Sequence, residues 1–167
     1  DYTTIKYDAD GNQLWVAKYD APGNRYDRPY GIALDHLGNV YVTGESTASD
    51  DSGSYNYVYA TINYDPNGNE LWIATYDDNG NGDHYPSAGL VVDNSGNGYV
   101  SGRSRGDLGT VKYDTNGNQV WVARYGEEGL SDEATAIAMD DSGNVYVTGT
   151  VENKSRKKGY TTIKYDT

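Results

Sequence analysis

The sequence predicts an all-β fold of repeated four-stranded antiparallel sheets, and three observations carry that prediction. The pentapeptide Asp-x-x-Gly-Asn occurs six times, opening at Asp8, Asp35, Asp65, Asp93, Asp114 and Asp140. Asp at the first position of a type I turn bonds its own backbone two residues on, and Gly at the fourth takes the positive φ that closes a short hairpin. The flanking runs are rich in Val, Thr and aromatic residues, which suit pleated strands. These runs also return in phase. Thr4-Ile5-Lys6-Tyr7-Asp8 recurs with small changes from Thr61, Thr110 and Thr162, and Trp15, Trp72 and Trp121 each stand seven residues after the Asp that closes it.

The period of about 50 to 57 residues lies in the range of β-propeller blades. Labelling the strands of a blade A to D, residues 1–19 supply C near 2–7 and D near 13–19. Residues 30–76 supply a full blade, with A near 30–35, B near 39–45, C near 57–64 and D near 70–76. Residues 87–125 give A from Ser87, B from Asn97, C from Gly106 and D from Asn118, and residues 134–167 give A from Ala134, B from Asn144 and C from Gly159. The order C-D, A-B-C-D, A-B-C-D, A-B-C amounts to about three blades plus a redundant terminal strand, thirteen strands in one repeat domain. In strand D, Leu14 and Val16 alternate with Trp15, Ala17 and Tyr19, so neither face is purely polar and each sheet is expected to be covered on both sides.

Composition narrows the function. Net charge is −12 with few Leu, Ile or Val and no Phe, a balance that ordinarily signals disorder, but eighteen Tyr and three Trp carry the apolar mass. The acidic field disfavours a nucleic-acid partner, and no apolar run is long enough to span a membrane as a helix. With no Met at position 1 and no leader-like run, the sequence reads as a processed or excised segment. Zero Cys excludes a disulfide framework and thiolate metal sites.

In an up-and-down blade the A-B and C-D turns share one edge, and all six Asp-x-x-Gly-Asn turns fall there. The opposite edge carries the variable B-C and D-A loops, where binding residues are expected. There Tyr26, Tyr55, Tyr85, Arg103 and Arg105 form a candidate surface for a glycan or a protein, set against the plainer reading of tyrosines as core. The D-A loop holding Asp77, Asp78 and Asp83 is a candidate calcium site, because several oxygens converge in a short stretch. The six hairpin turns lack the downstream Glu of a calcium loop and read as turns. With only His36 and His84, and acids too numerous for any one pair to stand out, neither a catalytic residue nor a resident cofactor is expected. Asn153-Lys154-Ser155 matches an N-glycosylation acceptor.

The run YTTIKYDADGNQLWVAKYDAPGN, followed by GIALDHLGNVYVTG, resembles the SBBP type of β-propeller repeat, and the resemblance extends over essentially the whole chain. It implies a propeller with strand A on a central channel and D outermost, a place at the cell surface or outside the cell, and no shared catalytic residue. Propellers close with about four to eight blades. Three blades leave faces that invite association, so a homo-oligomer or neighbouring repeats are expected as partners, with Tyr2, Ile5, Tyr7, Tyr160, Ile163 and Tyr165 of the two terminal C strands as the contact residues. The function expected is structural or adhesive, as a ring or a filament, and the alternative is ligand binding on the variable edge.

Overall fold

The computed structural model describes residues 1–22, 26–49, 55–77, 84–127 and 130–166, without the side chains of 48, 49, 55, 56 and 87. Among these residues the chain forms thirteen strands and four antiparallel sheets. A two-stranded half-blade comprises β1 (Tyr2–Tyr7) and β2 (Gln13–Tyr19). Blade 1 runs β3 (Asp27–Leu34), β4 (Val40–Ser49), β5 (Tyr55–Tyr64), β6 (Glu70–Tyr76), and blade 2 runs β7 (His84–Val92), β8 (Gly98–Ser104), β9 (Asp107–Tyr113), β10 (Gln119–Tyr125). Blade 3 has β11 (Glu133–Met139), β12 (Val145–Glu152) and β13 (Lys158–Tyr165). Each sheet is an in-order meander, the C-D, A-B-C-D, A-B-C-D, A-B-C pattern of the sequence.

The six turns share one hydrogen-bond plan. At the first, Asp8 Oδ1 accepts the N–H of Asp10 (3.0 Å) and of Asn12 (2.8 Å), while Oδ2 accepts Asn12 Nδ2 (2.9 Å). The N–H of Gly11 donates to the Asp8 carbonyl at 3.2 Å with φ +84, in the left-handed region that favours Gly. The fifth-position Asn thus ties down the second carboxylate oxygen. Its side-chain bond is the chief reason the carboxyls of Asp8, Asp65, Asp114 and Asp140 lie below their ordinary 3.8. At Asp93 burial pushes upward, and the hydrogen bonds from Asn97, Ser95 and Tyr99 together outweigh it.

A carboxyl whose folded pKa is depressed contributes stability that is present above the unfolded pKa and lost as pH falls through the folded one. Five such groups act together, so the urea midpoint is expected to be level near neutrality and to drop below about pH 4. Equal midpoints at pH 7 and pH 3 would contradict this. Burial acts the opposite way on the tyrosines, pushing Tyr41 and Tyr64 up to about 12. Their contribution is complete below the unfolded Tyr value and is lost as pH rises through the folded one.

Blades meet through three apolar layers. Tyr2, Tyr19, Val42 and Ile62 join the half-blade to blade 1; Tyr41, Tyr59, Val100 and Tyr113 join blades 1 and 2; Tyr99, Leu108, Val145 and Val147 join blades 2 and 3. Each Trp hooks forward onto the next blade. Trp15 donates from Nε1 to the Pro66 carbonyl (3.0 Å) and packs with Tyr64, and Trp72 donates to the Thr115 carbonyl (3.0 Å) and packs with Tyr113. The rings lie flat on turn glycines, with a Cβ at Gly68 or Gly117 falling 2.7 Å from a ring carbon. Strands β3, β7 and β11, the A strands, pack beside one another.

Two sequence expectations change. Strands B and C of blade 1, expected near 39–45 and 57–64, run further: β4 reaches Ser49 and β5 begins at Tyr55, with Thr47 opposite Tyr57 and Ser49 opposite Tyr55. Ser and Thr do not prevent ladder bonding. The turn plan also appears on the variable edge, where Asn153 Oδ1 accepts the N–H of Ser155 (2.9 Å) and Lys157 (3.1 Å), with Arg156 at φ 58 in the place of Gly. The side-chain carbonyl of the candidate glycosylation Asn is therefore part of a turn.

Candidate functional site

The variable edge brings some of the expected residues together. Tyr85 of β7 lies opposite Arg103 of β8, and its ring stands 5.2 Å from that of Tyr57. All three are half-buried. Arg105 is exposed at φ 56, beside Gly106 in the tight turn after β8, and Tyr26 is exposed at the entry to β3. Tyr55 begins β5, but its side chain lies outside the described residues, as do Asp78 and Asp83 of the expected calcium loop. Asp77 is exposed.

The six expected assembly residues divide between two environments. Tyr2 is buried against blade 1, its hydroxyl donating to the Glu45 carbonyl at 3.1 Å, and Ile163 and Tyr165 pack against blade 2. Alternation along a strand turns successive residues to opposite faces. Ile5, Tyr7 and Tyr160 are therefore the members of the set left on open faces.

A further position was not singled out in the sequence. A buried polar group stands at the start of each blade interface: Asp27 and His84 are the first residues of β3 and β7, and Asp132 stands one residue before β11. Its signal was present, since Asp27 and Asp132 each stand eight residues before a turn aspartate, Asp35 and Asp140. The group at this position meets strand B. Ser46 Oγ donates to Asp27 Oδ1 at 2.6 Å, and Ser104 Oγ lies 3.1 Å from His84 Nδ1. The Ser104 hydroxyl also contacts Tyr76 and Arg124, and both Ser104 and His84 are sealed from solvent. A serine shared in this way within an interface is built for packing. Among the described residues, the carboxylates of Asp1, Asp20 and Asp27 converge to within 4.8 Å of one another at the first junction.

Comparison with known proteins agrees with this architecture. A family model described as the SBBP beta-propeller repeat matches residues 21–50 and 120–150, and one described as a two component regulator propeller matches residues 52–77. No curated protein matches the chain. A crystal structure of a protein of unknown function from Bacteroides caccae is similar, with a TM-score of 0.51 and 14% sequence identity over 92% of this chain and 51% of that one. The chain thus spans about half the length of that protein, and the likeness is one of fold. With blade-wise meanders, forward-hooked tryptophans and two matched repeats, the chain is a β-propeller repeat protein carrying repeats of the SBBP type.

Proposed function

We propose that this chain is a non-enzymatic structural or adhesive module of the cell surface or extracellular space, and that it self-associates through the open faces of its outer blades. One observation carries the self-association. At the first position of YTTIKY-type strands, Tyr2 and Tyr59 are 1% and 0% exposed and Leu108 is 0% exposed, whereas Tyr160 is 91% exposed. On the opposite face, Ile5 and Tyr7 are 41% and 56% exposed where Ile62 and Tyr64 are 0% and 2%. The same residue types that seal every inner junction stand open at the two outer ones. Leu14 is not evidence of this kind, since its counterpart Leu71 is equally exposed beside a neighbour.

A second copy fits both faces, because each presents half of a junction that the chain builds internally three times. Among the described residues β1 pairs only with β2, so its other edge offers a row of backbone groups to a further strand. Two copies about a two-fold axis give a six-bladed ring, and a rotation that does not close gives a filament. Light scattering on the 167-residue chain is expected to give a mass of two or more copies, rising with concentration. A monomer mass at every concentration would assign these faces to neighbouring repeats and overturn self-association. A surface location rests on the SBBP resemblance.

The Tyr57, Tyr85 and Arg103 group favours a second reading, recognition of a glycan or protein on the variable edge. Glycan-array binding that is lost in Tyr85→Ala supports it, and binding unaffected by that change removes the group from consideration.

A further inference from the structure

One strand sequence occurs twice, at the half-blade and at blade 3. β1 and residues 160–165 of β13 are both Tyr-Thr-Thr-Ile-Lys-Tyr, yet they are covered on opposite faces. In β1, Tyr2 and Thr4 are buried, while Thr3, Ile5 and Tyr7 are exposed. In β13, Thr161, Ile163 and Tyr165 are half-buried, while Tyr160, Thr162 and Lys164 are exposed. The inner C strands show what a finished strand has: residues 59–64 of β5 are buried on both faces, as are residues 108–113 of β9 apart from half-buried Lys112. β1 and β13 each have one of the two covers, and the covers are complementary.

The tryptophan hooks are unmatched in the same way. Gly68 and Gly117 stand four residues after Tyr64 and Tyr113, the last residues of inner C strands, and receive the rings of Trp15 and Trp72. Trp121 reaches Tyr165, with ring centroids 5.4 Å apart, but the 167-residue chain has no glycine four places further on. Gly11 stands four residues after Tyr7 with φ +84, and a Cβ built on it would meet nothing within 4 Å. One hook lacks its platform, and one platform lacks its hook. The register also fits. β12 pairs Val145 with Tyr165, Val147 with Ile163 and Thr150 with Tyr160, as β4 pairs Val40 with Tyr64, Val42 with Ile62 and Glu45 with Tyr59. β1 offers β12 the same six residues in the same order.

We propose that two copies of this chain join by strand exchange, β1 of one copy displacing β13 of the other from the edge of β12. One blade then takes strands A and B from one copy and C and D from its partner. The proposal rests on the self-association inferred above and specifies its joint. In the shared blade Ile5 and Tyr7 take the places of Ile163 and Tyr165 against blade 2 of the other copy, while Tyr2 and Thr4 stay buried against their own blade 1. Gly11 comes under Trp121, and the Ala9 carbonyl takes the place that the Pro66 and Thr115 carbonyls hold for the other two indoles. β1 keeps its pairing with β2 throughout, whereas β13 gives up one partner strand and a half-covered face. Exchange of an identical element is a low-cost route to a dimer. Two such joints complete six four-stranded blades.

The chain has no cysteine, so one introduced pair can lock β13 in place. Thr148 of β12 lies opposite Thr162 of β13 with their hydroxyl oxygens 3.1 Å apart, and facing residues of paired strands are within disulfide reach. Light scattering of the whole chain carrying Thr148→Cys and Thr162→Cys is expected to give the parent's associated mass under reducing conditions and the mass of one copy when oxidised. An oxidised protein that keeps the parent's mass overturns strand exchange and leaves association through the open faces standing. A parent that is itself a monomer overturns both. A second measurement carries the test if the double variant does not fold. Thr4 takes the place of Thr162 in a shared blade, so Thr148→Cys refolded together with Thr4→Cys is expected to form a disulfide between the two chains on oxidation, which neither variant forms alone. Absence of that cross-link in folded, associated protein overturns the exchange.

Discussion

Replacing Tyr59 with alanine is expected to destabilise the chain by about 3–5 kcal/mol, as truncation of a fully buried aromatic does, while the same replacement at Tyr160 changes stability in dilute solution by less than about 0.5 kcal/mol. Tyr59 is enclosed between blades 1 and 2, packs on Tyr76 at 5.5 Å and on His84 at 6.2 Å, and donates its hydroxyl to the Arg103 carbonyl at 3.1 Å. Alanine removes the ring, leaves a cavity and strips the carbonyl of its donor. Tyr160 occupies the same repeat position, but its side chain stands in solvent. Urea unfolding of both variants separates the cases, and light scattering adds the second half of the result: Tyr160→Ala should not lower the mass of the associated protein, because β13 gives way there to β1 of a second copy. A loss at Tyr160 in dilute solution comparable to that at Tyr59 would show that Tyr160 is covered within one chain.

Alanine at Gly44 or Gly149 is expected to cost about 3 kcal/mol or more, because the added methyl meets backbone that cannot yield. At Gly44 the Cβ would fall 2.1 Å from the Arg28 carbonyl oxygen and 2.7 Å from Pro29 Cα, and at Gly149 it would fall 2.3 Å from the Glu133 carbonyl oxygen. Both glycines end a GNVYVTG run and sit where strand A shifts register against strand B, between Pro29 and Gly31 in one blade and Ala134 and Ala136 in the other. A bulge presses strand A close to the glycine. Gly159→Ala is the control, with nothing within 4 Å of the added atom, and is expected to be neutral within about 0.5 kcal/mol. Equal melting temperatures for Gly44→Ala and Gly159→Ala would refute the argument.

Strand order and turn chemistry were legible because each is written in a few adjacent residues. An Asp with Gly three places on and Asn four places on specifies its own hydrogen bonds without help from elsewhere. Coverage was not legible in this way. Tyr2 and Tyr160 open the same six-residue run, yet one is buried by Glu45 and Ala60 from the next blade and the other meets solvent. Asp132 likewise lacks the serine that meets Asp27 and His84, because Val151 stands in its place, and this matters only after β11 and β12 are aligned. The end of β4 was misjudged for a different reason: a run of Ser, Thr and Glu looks like a loop when its pairing partner is unknown.

The forward hook of each Trp gives the architecture a phase. Trp15 rests on Gly68, and Trp72 on Gly117, so every hook and its platform belong to different sheets. A duplication or exchange that keeps each hook with its platform must be cut within a blade, between strands, and not in the loop separating two blades. The unit that keeps a hook with its platform runs from a D strand to the C-D turn of the next blade, one strand out of step with the four-stranded sheet. Lengthening by whole units conserves every hook, and loop length is free to vary, since the two hooks form although the stretch from Trp15 to Gly68 is longer than that from Trp72 to Gly117.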